Sequence, residues 1–272
     1  LDIEKNKKGK GIIMKKIMIL IMLLVASMAL AYEQNMLVEA PTAGILQRGE
    51  AELSTLLYKD NGMIIGTKVG LFPRFMFGVS YGAEKVVGNE DPVWHERVEF
   101  SAKFRLLDEN ANIPAVAIGY DSKGYGKFYK EIDEETGEVF KRFDTKSKGF
   151  YLVASSNRNF LGNLGVHAGI NYSLERDDND DDPNFFVGLD KTVGDIVVFC
   201  AEYDLAFNDN ENFIEQHIDE LSGSNKGYLN ASFDVHFTEN LVMKIAFKDL
   251  LKNKDNTQGA DRSITLNYYM TF

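Results

Sequence analysis

Arg262-Ser263-Ile264-Thr265-Leu266-Asn267-Tyr268-Tyr269-Met270-Thr271-Phe272 is the stretch whose reading decides the fold. Ile264, Leu266, Tyr268, Met270 and Phe272 share one parity, and Ser263, Thr265, Asn267, Tyr269 and Thr271 share the other. A repeat of two places the first set on one face of a β-strand and the second on the opposite face. About ten residues of such alternation reach across a bilayer at a tilt and exceed the usual strand of a soluble domain. The greasy face is therefore expected to meet lipid, and the polar face an enclosed interior.

The same pattern recurs upstream. Trp94, Val98, Phe100, Ala102, Phe104 and Leu106 alternate with His95, Arg97, Glu99, Ser101, Lys103 and Arg105, with Glu96 alone breaking the apolar side. Leu164 to Glu175, Val197 to Asn208 and Gly227 to Phe237 repeat it. Segments near 45–58, 63–71, 75–85, 115–123, 150–159, 185–190 and 241–249 bring the total to about twelve. Links after even strands are short and those after odd strands mostly long, the first link (59–62) excepted, as in barrels with short periplasmic turns and long outer loops. Pro73, Pro92, Pro114 and Pro183 fall in links and Pro41 precedes the first strand, so none removes an N–H from a strand centre. The expected fold is all-β: a single transmembrane antiparallel up-and-down barrel of about 12 strands over 45–272, with Trp94 and Phe207 at the outer aromatic girdle and Phe75, Phe237 and Phe272 at the inner one. A soluble sandwich also alternates, but does not need outward faces this apolar on nearly every strand.

Ahead of the barrel, 1–13 reads as a disordered upstream extension and 14–31 as a signal peptide. Lys15 and Lys16 form its basic region, Ile17 to Val25 its apolar core, and Ala29-Leu30-Ala31 its cleavage site. A membrane-anchoring helix would need roughly 20 apolar residues. Residues 32–44 are expected as an N-terminal periplasmic segment. Six of the 30 bases and two of the 41 acids precede the cut, which leaves 24 bases against 39 acids, a net charge of −15. No clustered positive charge is available for a nucleic-acid backbone. The lone Cys200 cannot form an internal disulfide.

Residues on the polar parity define the expected lumen: His95, Arg97, Glu99, Lys103, Arg105, His167, Asn171, Glu202, Asp204, Asp234, His236, Lys244 and Lys248. Bases and acids are both present, which favours paired charges in a narrow or plugged barrel over a basic ladder. Asp178, Asp180 and Asp182 are the weak calcium candidates of one outer loop, although the Gly and terminal Glu of a calcium-binding hand are absent. The histidines lack the spacing of a zinc site, and no cofactor is expected. A catalytic reading, of the outer-membrane phospholipase kind, needs Ser, His and a carboxylate or amide brought together across strands. His167, Asn171 and Ser173 share one strand and cannot fold onto each other, so an enzyme is not expected. The connection 124–149, with Glu134 to Glu138 at its turn, is expected to project as a hairpin extending the fifth and sixth strands. Phe213, Ile214, His217, Ile218 and Leu221 recur at helical spacing and predict a short amphipathic helix at the barrel mouth.

A strand closing on Phe272 resembles the C-terminal strand of bacterial outer-membrane barrels. That resemblance implies an assembly signal in Tyr268, Met270 and Phe272, recognition by the barrel assembly machinery, and contact with outer-membrane lipid and lipopolysaccharide. Pro41-Thr42-Ala43-Gly44, Val69-Gly70-Leu71-Phe72, Gly78-Val79-Ser80-Tyr81-Gly82, Pro114-Ala115-Val116-Ala117-Ile118-Gly119, Val153-Ala154-Ser155 and Ala201-Glu202-Tyr203-Asp204 resemble phrases of the YjbH-like barrels associated with exopolysaccharide and capsule production. The resemblance implies surface polysaccharide as a partner. The expected function is a non-enzymatic outer-membrane barrel, structural or export-associated, with a narrow pore for small polar or acidic solutes as the alternative.

Overall fold

The computed structural model describes residues 33–132, 139–178, 180–194, 196–209, 226–254 and 260–272. The expected signal peptide, the hairpin turn at Glu134 to Glu138 and the mouth helix lie outside these residues. The strands are β1 (Glu50–Tyr58), β2 (Gly62–Phe72), β3 (Phe75–Glu84), β4 (Val93–Trp94), β5 (Glu99–Leu107), β6 (Ala115–Asp121), β7 (Tyr125–Ile132), β8 (Val139–Thr145), β9 (Gly149–Asn159), β10 (Asn163–Tyr172), β11 (Asn184–Val193), β12 (Val197–Asp204), β13 (Tyr228–His236), β14 (Leu241–Lys248) and β15 (Asp261–Thr271).

Twelve of them, all but β4, β7 and β8, form one antiparallel ring. β15 pairs with β1 from Glu50 against Thr271 to Leu57 against Ile264, and β2 pairs with β3, so the sheet has no open side. Closure removes the unpaired edges an open sheet would expose. Leu53, Ile65, Phe104, Ile118, Leu152, Val187, Phe233 and Leu266 are exposed on the outer wall, a contiguous apolar surface of the kind that meets lipid. Aromatic pairs sit near both rims: Tyr81 stacks on Trp94 with centroids 5.8 Å apart at the long-loop end, and Phe72 lies 6.3 Å from Phe75 at the short-turn end. The short link from β1 to β2 places Asp60 and Asn61 at positive φ, 58° and 54°. These are the two left-handed residues of a hairpin turn that matches strand twist, and Asp and Asn tolerate them best.

Three expectations are corrected. The segment expected over 32–44 ahead of the barrel is, in its described part 33–44, folded into the barrel together with Ile45 and Leu46, and Leu37, Ala40, Thr42 and Ala43 are fully or almost fully buried. For the same reason β1 starts at Glu50 and not Ile45, because Ile45 and Leu46 are packed inside against Met76. The expected strand from Trp94 to Leu106 is broken. Trp94 pairs with Ala83 in the two-residue β4, while Glu96 is drawn off the wall by Lys130 and Lys141, leaving β5 to begin at Glu99. Finally, β7 and β8 do not extend the neighbouring strands outward. They form a separate two-stranded sheet folded onto the long-loop end, with Tyr129, Arg142 and Phe143 buried.

Candidate functional site in the lumen

The N-terminal segment enters from the short-turn end, turns and returns. Leu37 N–H donates to the Ala40 carbonyl at 2.9 Å, and Met36 bridges Pro41, making a tight bend around Val38 and Glu39. This plug has no sheet partner, so its main-chain groups must be satisfied by something else in a buried setting. Lumen side chains do this. On the acidic wall, Glu202 accepts the N–H groups of Val38 at 3.0 Å, Glu39 at 2.9 Å and Ala40 at 2.8 Å, and Asp234 accepts from Gln34 at 3.1 Å. On the basic wall, Lys103 Nζ donates to the carbonyls of Asn35 at 2.7 Å, Thr42 at 3.0 Å and Gly44 at 3.0 Å. Arg105 grips the Ala43 carbonyl through two nitrogens at 2.9 and 2.8 Å. Lys244 donates to the Leu37 carbonyl, and Lys248 pairs with Glu39 at the bend.

Room for the plug comes from glycine on the inner wall. A Cβ at Gly188 would lie 2.3 Å from Leu37 Cδ1, closer than two carbons can sit. Leu37 instead packs in a buried cluster with Phe186, Val198 and Cys200.

The long-loop end is shut by the β7–β8 hairpin. Arg142 Nη1 reaches Asp178 at 2.7 Å and Asp209 at 2.8 Å, Lys146 adds 2.6 Å to Asp178, and Lys148 pairs with Asp204. Burial disfavours the Asp209 carboxylate, but Arg142 and Lys254 more than offset it and hold its pKa below the ordinary range. Asp144 is likewise held low, against burial, by Lys254 and Lys59. The calcium expectation changes accordingly: Asp178 is neutralised by Arg142 and Lys146, and the Asp180 carbonyl also accepts from Lys146 at 2.9 Å. Among the described residues no cluster of acids, histidine or cysteine is arranged for a metal. Between bend and hairpin remains a cavity of about 30 Å³ lined by Glu39, Tyr58, Tyr125, Tyr228 and Lys248 among others. That is room for water, not for a solute.

The remaining residues singled out in the sequence fall as follows. His95 is buried beneath the hairpin, 3.3 Å from the Tyr58 hydroxyl and edge-on to Phe143 at 5.5 Å. Arg97 joins Glu99 at 2.7 Å and Glu175 at 3.4 Å. Asn171 donates to the Lys148 carbonyl at 3.1 Å, Asn184 donates to Asp204 at 2.6 Å, and His236 is half-buried near the short-turn end. Tyr268, Met270 and Phe272 face outward. Cys200 is fully buried on the inner wall.

The structure also joins residues the sequence left apart. Ser155 on β9 lies directly opposite His167 on β10, with Oγ 2.8 Å from Nδ1. Asp190 on β11 is 2.8 Å from His167 Nε2, and the Ala43 N–H of the plug donates to Ser155 Oγ at 2.8 Å. Glu52 and Lys68, paired at 3.2 Å, belong to the plug's surroundings as well, Glu52 accepting from Asn35 at 2.8 Å. His167 was already expected in the lumen; the signal that could have found Ser155, Asp190, Glu52 and Lys68 was inward parity on their strands.

No protein-family model matches the chain, and no curated protein does. Solved structures that it resembles include the KdgM porin (TM-score 0.48, 8% identity, 82% of this chain and 99% of that one). Omp33 of Acinetobacter baumannii (0.42, 10%, 82% and 97%) and the NanC porin (0.40, 10%, 82% and 99%) are others. The assignment as a closed barrel stands on the strand pairing itself, and the YjbH-like resemblance rests on the sequence phrases alone.

Proposed function

We propose that this chain is an outer-membrane barrel acting as a gated narrow pore for small polar or acidic solutes, closed at rest by its own N-terminal segment and by the β7–β8 hairpin. The observation that supports it is the manner in which the plug is held. Its backbone is bound by charged lumen side chains and not by sheet pairing. A permanent filling is built as well or better from apolar side chains, since burying charge costs several kcal/mol per ion before pairing. Charges are what a water-filled passage retains once the segment has left. Lys68, Lys103 and Arg105 would then line one wall, and Glu202 and Asp234, the latter paired with Lys244 at 3.4 Å, another. In this reading the outer belt meets lipid and lipopolysaccharide, and the assembly machinery engages β15 through the strand bearing Tyr268, Met270 and Phe272. An export role for surface polysaccharide draws only on the sequence phrases and is the weaker reading.

Planar-bilayer recording tests it. The intact protein is expected to be mostly silent, and a variant lacking 33–46, or the full-length Leu37→Asp variant, to show discrete steps. Silence from variants that retain the folded, heat-modifiable form on electrophoresis would overturn the pore.

A further inference from the structure

We propose that Ser155, His167 and Asp190 form a latent hydrolytic triad for small carboxylic esters, masked by the plug. The three side chains come from adjacent strands and are buried on the inner wall. Their separations are those of a nucleophile, a base and an orienting carboxylate in hydrogen-bond contact: 2.8 Å from Ser155 Oγ to Nδ1 and 2.8 Å from Nε2 to Asp190 Oδ1. With Nε2–H donated to Asp190, Nδ1 is the free lone pair that accepts the serine proton. A Cβ at position 165 would lie 2.2 Å from Asp190 Oδ1 and 2.8 Å from His167 Nε2, so Gly165 leaves the space in which the pair meets.

The plug occupies the place of a substrate. Ala43 donates its N–H to Ser155 Oγ, and the carbonyl of the same residue is held by Arg105. Nucleophile and guanidinium are thus one residue's width apart. With the plug gone, an ester carbonyl takes the position of the Ala43 carbonyl, and Arg105, with Lys103 beside it, faces the oxygen on which negative charge develops. Ser155 Oγ attacks the carbonyl carbon while its proton passes to His167 Nδ1. The tetrahedral species collapses, breaking the bond to the alcohol oxygen, which leaves with that proton. Water then attacks the acyl-Ser155 ester, gives its proton to His167 and back to Ser155 Oγ, and releases the carboxylic acid. The carboxylate of Asp190 steadies the imidazolium throughout. This departs from the sequence-based expectation of no catalysis, and it needs a plug that leaves but not a conducting pore.

The test uses full-length protein in detergent with a plug destabilised in two ways: Leu37→Asp, which buries an unpaired charge, and Glu202→Gln, which weakens the acceptor of three consecutive plug N–H groups. Exit of the plug is read by maleimide labelling of Cys200. A fluorophosphonate probe followed by mass spectrometry, and hydrolysis of p-nitrophenyl acetate, read the triad. Expected are labelling at Ser155 in both variants and not in the parent, and hydrolysis at least tenfold above the same variants carrying Ser155→Ala or His167→Gln. An accessible Cys200 with Ser155 unlabelled and hydrolysis no higher than in Ser155→Ala overturns the triad, as does a Cys200 that stays closed in both variants. Conductance without labelling refutes the triad and spares the pore; labelling without conductance does the reverse.

Discussion

Glu202 is the residue on which the closed lumen turns. Its carboxylate takes three consecutive plug N–H groups and a fourth donor, Asn230 Nδ2 at 2.9 Å. Glutamine offers one acceptor oxygen and presents its own N–H groups to donors. Each buried donor left unsatisfied costs about 1 to 3 kcal/mol. Glu202→Gln is therefore expected to raise hydrogen exchange at the amides of 38–40 by tenfold or more, and unchanged protection would show that these contacts do not hold the plug. Arg142 has the corresponding role at the other end. Arg142→Met leaves Asp178 with Lys146 as its ion-pair partner and Asp209 with the Tyr228 hydroxyl, and breaking such a buried pair costs about 3 to 5 kcal/mol, here to hairpin seating. Limited proteolysis should then cut the β7–β8 hairpin while the barrel stays intact. The inward parity of Lys103, Arg105, Glu202 and Asp234 was legible in the sequence. What they bind was not, because their partners are main-chain atoms of a segment with no alternation of its own.

Among the elements, the strands were readable and the plug was not, for one physical reason. A strand between lipid and water must alternate, and β10 and β12 do so residue by residue. The plug is surrounded on all sides, so Leu37, Val38, Ala40, Ala43, Ile45 and Leu46 follow no period. The density of small residues in Pro41-Thr42-Ala43-Gly44 is the one hint that this stretch fits a tight space. The triad was hidden differently: Ser155, His167 and Asp190 lie on three strands, and cross-strand register is not written in any single one. The hairpin carries a pH dependence of defined sign. Asp144 and Asp209 have carboxyl pKa values held below the ordinary value, which is about 3.9 for an unfolded Asp. Their contribution is complete above that value and is lost as pH falls through the lower folded-state values. Glu175 runs the other way: burial raises its carboxyl despite hydrogen bonds from Phe143 N–H and Ser147. Its protonation at milder pH leaves the Arg142 pairs intact. Hydrogen-exchange protection over 140–145 is thus expected to persist from pH 8 to pH 5 and to collapse only below about pH 4; collapse near pH 6 would show that other groups seat the hairpin.

At the scale of the whole molecule, the barrel is closed three times over: by β1 on β15 around the wall, by the plug from the short-turn end and by the hairpin from the long-loop end. The first closure followed from the strand pattern, and the other two needed the structure. They make the lumen a closed compartment, and under the proposed function access to it depends on the plug leaving. Cys200 offers a native probe, since it is fully buried on the inner wall in the cluster that contains Leu37. The decisive measurement is its labelling by a water-soluble maleimide in folded protein, with and without residues 33–46. The plugged barrel requires a thiol that stays unlabelled in the intact chain and reacts readily once the segment is removed. Equal labelling in both would mean that the N-terminal segment does not occupy the lumen.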